Sequence, residues 1–346
     1  MAKGKKIRVL VVDDSAYNRR AIMEMLESVE DIAVIGTAAD GEEGLKVALA
    51  LKPDAITLDL DMPNMDGFTF LRLLRAQAPV PVIVISGYAR TSDVFKALEL
   101  GAIDFIAKPS RHFSPETKSV REELVQKLGA VRLLRRRSLG RTESSEVAAA
   151  GGSQMRVAVV GASTGGPPAL QRLLSSLSGD LPLGIAIAQH MPERFTRAFA
   201  ERLNRLSAYE VVEARSGDLL APGRALIAPG GHTMRLVRTT DGLRAGLSEG
   251  TAKDRYVPSI DALFESVAHA VGAGAAGVLL TGMGNDGCAG MLALKKVGAI
   301  TIAESEETAV IYGMPKEAVE AGAVKHVLAL DRIPDALTRF ARGVEA

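Results

Sequence analysis

Tryptophan is absent, and aromatic residues make up only 4% of the 346 residues. Stacking on nucleic-acid bases is therefore poorly provided for. Net charge is +1, so no whole-chain field draws in polyanions, and no nucleic-acid partner is expected. Cys288 is the only cysteine. That excludes an internal disulfide and suits a reducing compartment. No apolar run approaches the roughly 20 residues needed to span a bilayer, so no membrane insertion is expected. The basic start MAKGKK precedes only IRVLVV before Asp13 and Asp14. This run is too short for a signal-peptide core, and a cytoplasmic location is expected. What is present is an ordinary soluble composition, long enough for two domains.

The first third alternates apolar runs with segments of helical spacing. Strands are predicted at Ile7–Val12, Ile32–Thr37, Ala55–Leu58, Val82–Ile85 and Asp104–Ile106. Ala21, Ile22, Met25, Leu26 and Val29 mark one helical face between the first two. The alternation predicts a doubly wound α/β domain with a parallel sheet. Functional groups gather at the carboxyl ends of such strands. Asp13 and Asp14 end the first strand, Asp59 the third and Ser86 the fourth, and Lys108 follows the fifth. Converging carboxylates repel unless a cation joins them, and hard oxygen ligands suit Mg²⁺. A lysine and a hydroxyl beside them could hold phosphoryl oxygens. The plainer alternative is that these acids cap the helices that follow.

These stretches, VLVVDDS (9–15), DLDMPNMDG (59–67), VISG (84–87) and ALELGAIDFIAKP (97–109), resemble the receiver domain of two-component response regulators. The resemblance implies that Asp59 accepts a phosphoryl group from a histidine kinase. It implies Mg²⁺ held by Asp14, Asp59 and the main-chain carbonyl of Asp61, with Asp13 acting through water. Ser86 and Lys108 would sense the phosphoryl group.

Residues 114–137 have helical spacing, with Val120, Leu124, Leu128, Val131 and Leu134 on one face. The run Arg132, Arg135, Arg136, Arg137 and Arg141 could face an acidic partner, or could simply be a solvated helix end. Residues 138–153 lack apolar periodicity and read as a flexible linker. The expected organisation is a receiver at 1–125, a helical and flexible linker at 126–153, and a second α/β domain at 154–346.

In that second domain GASTGG (161–166) follows the apolar run Val157–Val160 and precedes Pro167 and Pro168. The pattern predicts a strand, a sharp elbow that presents Ser163, and a helix start. Further strands are predicted at Gly184–Ala188, Ala225–Ala228, Gly277–Leu280 and Ala299–Ile302, with helices at 167–177, 193–206, 259–271 and 288–297. His190 then lies just past the second strand, and Asp286 follows the Gly277–Leu280 strand. Serine, imidazole and carboxylate at one sheet edge are the parts of an acyl-transfer site. Their order, Ser–His–Asp, differs from the Ser–Asp–His of α/β-hydrolases. Rivals remain: His232 for the base; Asp218, Asp254 and Asp261 for the carboxylate; Cys288 for the nucleophile. A dinucleotide site is disfavoured, because GASTGG lacks the G-x-G-x-x-G spacing and the second strand ends in Gln189, not an acid.

The whole chain resembles the protein-glutamate methylesterase/protein-glutamine glutaminase family of chemotaxis response regulators. The stretches that carry this are VGASTGGPPAL (160–170), AQHMP (188–192), GDLLAPGRALIAPGGH (217–232), PSIDALFESVA (258–268), LLTGMGNDGCAGM (279–291) and YGMPKEAV (312–319). The resemblance implies a Rossmann-like catalytic domain with Ser163 as nucleophile, His190 as base and Asp286 as orienter. Backbone N–H groups at Thr164 and Met283 would hold the oxyanion, with His232 in the cleft. The implied reaction releases methanol from glutamate γ-methyl esters of chemoreceptors and needs no cofactor. Access to Ser163 would be the regulated quantity, with phosphorylation at Asp59 as its control. The alternatives are a receiver-controlled hydrolase acting on another pathway protein, or an inactive docking regulator. Two residues depart from the family pattern: Tyr88, where smaller polar residues are expected, and Glu304, where glutamine is.

Overall fold

The structure is a computed structural model that describes residues 6–86, 91–108, 118–131, 155–251 and 254–344. The chain divides into two compact units, Met1–Leu134 and Arg135–Ala346. The first runs β1 (Ile7–Val12), α1 (Ala16–Glu27), β2 (Ile32–Ala38), α2 (Gly41–Leu51), β3 (Ala55–Leu58), α3 (Gly67–Gln77), β4 (Val82–Ser86), α4 (Thr91–Glu99), β5 (Asp104–Ala107) and α5 (Lys118–Ala130). Its sheet is parallel throughout, in the order β2-β1-β3-β4-β5. Buried strands with helices on both faces read as continuous apolar runs, and β3 and β4 are buried along their whole length.

Ser15 caps α1, Asp40 caps α2 and Asp66 caps α3. Asp13, Asp14 and Asp59 are thus free of the capping role that would otherwise explain acids after strands. On the other face, Leu124 and Leu128 of α5 pack against Val9, Ile22 and Met25. This helix continues to Ala130. Residues 132–154 lie outside the described residues, as do His112 and Tyr88; the basic run from Arg132 to Arg141 falls there too.

The second unit runs β6 (Arg156–Ala162), α6 (Gly166–Ser175), β7 (Leu183–Gln189), α7 (Glu193–Leu206), β8 (Glu210–Glu213), β9 (Leu219–Leu220), β10 (Arg224–Ile227), β11 (His232–Thr239) and β12 (Gly242–Glu249). It continues with α8 (Ile260–Ala270), β13 (Ala275–Leu279), α9 (Cys288–Lys296), β14 (Ile300–Glu304), α10 (Met314–Glu320), β15 (His326–Leu328) and α11 (Ile333–Ala341). Seven strands form a parallel sheet in the order β15-β14-β13-β6-β7-β10-β8. The chain leaves β6 for β7 on one side and later returns to β13 on the other. A doubly wound sheet opens its crevice at such a reversal. A second sheet, β11-β12-β9, is antiparallel and was not foreseen. Its hairpin loop is Thr240-Asp241, and Gly242, at φ +134°, opens β12. Its buried face, Met234, Leu236, Leu243 and Ala245, joins the core with α8.

Two helix starts cross-brace at the crevice. The N–H groups of Ile260 and Asp261, at the start of α8, donate to Asp286 at 2.8 and 2.9 Å. In return, Gly290 N–H of α9 donates to Asp261 at 2.7 Å. The helices approach closely here, since a Cβ on Gly290 would lie 2.4 Å from Phe264 Cβ.

Burial pushes the Asp261 carboxyl up to about 6, and the Asp286 and Glu265 carboxylates add to the shift. The folded value lies above the unfolded one. The group therefore contributes stability that is complete below about pH 4 and is lost as pH rises through about 6. Asp261→Asn keeps an acceptor for Gly290 and removes the charge. It should stabilise the second unit by about 1 kcal/mol at pH 8, after allowance for solvent screening. Thermal unfolding at several pH values tests this. The gain should shrink toward pH 5, and a pH-independent gain would contradict the assignment.

Candidate functional site

Ser163 lies one residue beyond β6, in the short turn between β6 and α6. Among the described residues, only Lys52 and Asn64 are non-glycine residues with positive φ. The left-handed position belongs instead to Gly165, at φ +78°, which caps α6. Pro167 and Pro168 then start that helix where no N–H is needed. Gly166 has a separate reason: a Cβ there would lie 2.0 Å from Oε1 of Gln189.

His190 follows β7, and its main-chain N–H bonds Ala162 O of β6 at 3.1 Å. Its Nδ1 lies 3.1 Å from Ser163 Oγ, and its Nε2 lies 2.8 Å from Asp286 Oδ2. Three residues far apart in sequence are thus brought into one hydrogen-bonded line. With Nε2 protonated and donating to Asp286, Nδ1 keeps a lone pair for the serine proton. The two ring nitrogens exchange the roles they hold in the chymotrypsin arrangement.

Asp286 is almost fully buried, and its neighbours are donors. Oδ2 accepts from Ile260 N–H as well as from His190, and Oδ1 accepts from Asp261 and Gly287 N–H. Burial pushes its carboxyl up, but His190 and the amides outweigh this and hold it below the usual range. The carboxylate therefore stays charged when imidazolium forms beside it.

The serine's backbone is fixed from two sides. Ser163 N–H donates to Thr281 O at 3.0 Å, and Thr281 Oγ1 donates to Thr164 O at 2.9 Å. Thr281 N–H donates in turn to Glu304 at 2.8 Å, so Glu304 reaches the serine through one intermediate. Gln189 Nε2 donates to both Ser163 O and His190 O, each at 3.0 Å. Thr164 is buried and Met283 half-buried. The loop of Met283 abuts the serine, since a Cβ on Gly282 would lie 2.8 Å from Ser163 Cβ.

His232 opens β11, and its Nδ1 lies 3.3 Å from Gly230 O. Among the described residues no hydrogen bond joins it to Ser163, His190 or Asp286. Asp218 and Asp254 hold local turns through Arg215 and Thr251. Cys288 Sγ faces Glu317 O at 3.7 Å, and burial pushes its thiol up, as do Asp261 and Glu317. An activated nucleophile needs the opposite shift. Tyr256 escaped the sequence reading: its ring stacks on His190, with centroids 5.0 Å apart and planes within 3°. A lone tyrosine before Pro258 carries no signal for that contact.

In the first unit, Asp13, Asp14 and Asp59 offer oxygens that all lie within 4.8 Å of one another. Lys108 Nζ bridges Asp13 at 2.7 Å and Asp59 at 3.0 Å. Burial works against the ammonium, yet Asp59 and Asp13 together hold it above its usual range. Burial pushes the Asp59 carboxyl up to about 6, against the pull of Lys108. Ser86 Oγ is buried with no hydrogen-bond partner among the described residues. Close hard oxygens fit a small divalent cation, and the orphaned hydroxyl fits an oxyanion beside it. Asp61 is exposed.

Comparison with known proteins agrees with both halves. Residues 158–337 match the CheB methylesterase family, and residues 9–114 match the response regulator receiver domain. Protein-glutamate methylesterase/protein-glutamine glutaminase 6 of Anaeromyxobacter dehalogenans is 54% identical, over 99% of this chain and 98% of that protein. The corresponding protein 3 of Geobacter sulfurreducens is 49% identical, over 95% and 96%. The crystal structure of the Thermotoga maritima CheB methylesterase catalytic domain covers 54% of this chain and 98% of its own, with a TM-score of 0.52 and 34% identity. Among the described residues no helix is long and apolar enough to cross a membrane. The chain belongs to the CheB methylesterase family, with a response regulator receiver domain ahead of the methylesterase domain.

Proposed function

We propose that this chain hydrolyses glutamate γ-methyl esters on chemoreceptors, and deamidates selected glutamines there, through Ser163, His190 and Asp286. The observation that carries the reading is the imidazole of His190, bonded at one nitrogen to Ser163 and at the other to Asp286. His190 Nδ1 takes the hydroxyl proton as Ser163 Oγ attacks the ester carbonyl. Asp286, saturated by donors, holds the tautomer and stabilises the imidazolium. Main-chain N–H groups of Thr164 and Met283 receive the oxyanion; one such donor is worth about 3–4 kcal/mol in a comparable site. His190 then gives its proton to departing methanol. Water, deprotonated by the same imidazole, cleaves the acyl-enzyme to a free glutamate side chain. A glutamine follows the same route and releases ammonia.

The receiver, assigned to residues 1–125 with a connector at 126–153, supplies control. Asp59 accepts a phosphoryl group from a histidine kinase. Asp14, Asp59 and the Asp61 main-chain carbonyl would hold Mg²⁺, with Asp13 acting through water. The cation's contribution is to neutralise charge on the transferring group. Ser86 offers its buried hydroxyl and Lys108 its ammonium to the phosphoryl oxygens. His232 is assigned to the edge of the cleft, and the protein works in the cytoplasm.

The experiment incubates radiomethylated chemoreceptor membranes with the full chain and measures volatile methanol, with and without a small-molecule acyl phosphate. Ser163→Ala should lower release by about 10³-fold or more without changing the melting transition. Near-normal release would reject Ser163 as nucleophile. Asp59→Asn should keep the unstimulated rate and lose the response to the phosphodonor. A retained response would move the phosphoacceptor elsewhere.

A further inference from the structure

Tyr256 lies on the short segment that leads into α8. Its ring is parallel to the imidazole of His190 within 3°, at a centroid distance of 5.0 Å. That is the offset-stacked geometry that aromatic rings prefer. The ring is itself held. A Cβ on Gly284 would lie 2.5 Å from Tyr256 Oη, so the hydroxyl end rests on the glycine backbone, which takes φ +95°. Arg255 lies over the same ring, with Cζ 5.2 Å from its centroid.

The hydrogen bonds of His190 to Ser163 and Asp286 lie at its two nitrogens, near the plane of the imidazole. They resist sliding of the ring better than tilting. A flat face packed against the imidazole resists tilting. The need grows after the first chemical step. Once Ser163 Oγ has become the ester oxygen it has no proton to donate, and Nδ1 loses that partner. Asp286 then holds the ring at one nitrogen only, while Nδ1 must aim at the incoming water.

Resting on the esterase reading above, we infer that Tyr256 is a positioning residue. Its ring face fixes the plane of His190 through both proton transfers, and the stack, rather than the hydroxyl, does this. The hydroxyl is dispensable to the chemistry, and substrate binding is largely indifferent to the residue.

The test compares wild type, Ser163→Ala, Tyr256→Phe, Tyr256→Leu and Tyr256→Ala as full chains. Methylated receptor membranes and an acyl phosphate are present throughout. Wild-type methanol release that Ser163→Ala abolishes establishes the reading on which this rests; its absence overturns that reading and this inference together. With it in place, Tyr256→Ala should lower kcat about tenfold or more, since small misplacement of a catalytic group is costly. KM should stay within about twofold. Tyr256→Leu fills the volume without a planar face and should show the same loss, which keeps the test decisive if the alanine variant melts early. Tyr256→Phe keeps the face and should stay within about threefold of wild type. An unchanged kcat in both the leucine and alanine variants would overturn the inference. So would a change confined to KM, which would make Tyr256 a binding residue, or a phenylalanine variant as impaired as alanine, which would assign the role to the hydroxyl.

Discussion

The proposed esterase site depends on the carboxylate of Asp286. It is buried, and a buried charge is costly unless it is paired and hydrogen-bonded. Here the amides of Ile260, Asp261 and Gly287 and the imidazole of His190 surround it. The N-terminal turn of α8 and the N-cap of α9 meet at this carboxylate, so the helix positions and the ionisation state of Asp286 are fixed together. His190 takes its tautomer from Asp286, and Ser163 finds its lone pair at Nδ1. Disturbing the carboxylate disturbs every later link.

Both units use the same architectural solution for different chemistry. In each, the first strand sits inside a parallel sheet and the chain winds outward in two directions from it. The crevice at the reversal collects side chains from the ends of neighbouring strands. In the first unit these are carboxylates, a lysine and a hydroxyl, which suit a cation and a phosphoryl group. In the second they are serine, histidine and aspartate, which suit acyl transfer. Fold alone would not separate the two functions; the side chains delivered to the crevice do.

Much of this was legible in the sequence. The ten predicted strands correspond to β1 to β7, β10, β13 and β14 within a residue or two at most ends, because buried parallel strands leave unbroken apolar runs. Ser163, His190 and Asp286 were recognisable because each follows such a run. The antiparallel hairpin β11–β12 was passed over, although Asp241-Gly242 between alternating segments signals a hairpin turn; its half-exposed strands lack a solid apolar run. At the elbow that presents Ser163 it is Gly165 that takes the left-handed conformation. Gln189, Thr281 and Tyr256 could not be found by pattern, because their roles arise from contacts across elements. The cross-brace of Asp261 and Asp286 is likewise visible only once α8 and α9 are packed together.

The most direct test of the account is the kcat of Asp286→Asn, measured beside a melting curve of the same protein. Among the described residues each group hydrogen-bonded to Asp286 is a donor, so the asparagine amide nitrogen must confront one of them. The relieved arrangement turns the imidazole tautomer, placing a proton on Nδ1 where Ser163 needs a lone pair. The account predicts a folded protein whose methanol release falls about 10⁴-fold, as tautomer reversal does in the analogous serine enzyme. A folded variant with near-wild-type kcat would contradict it.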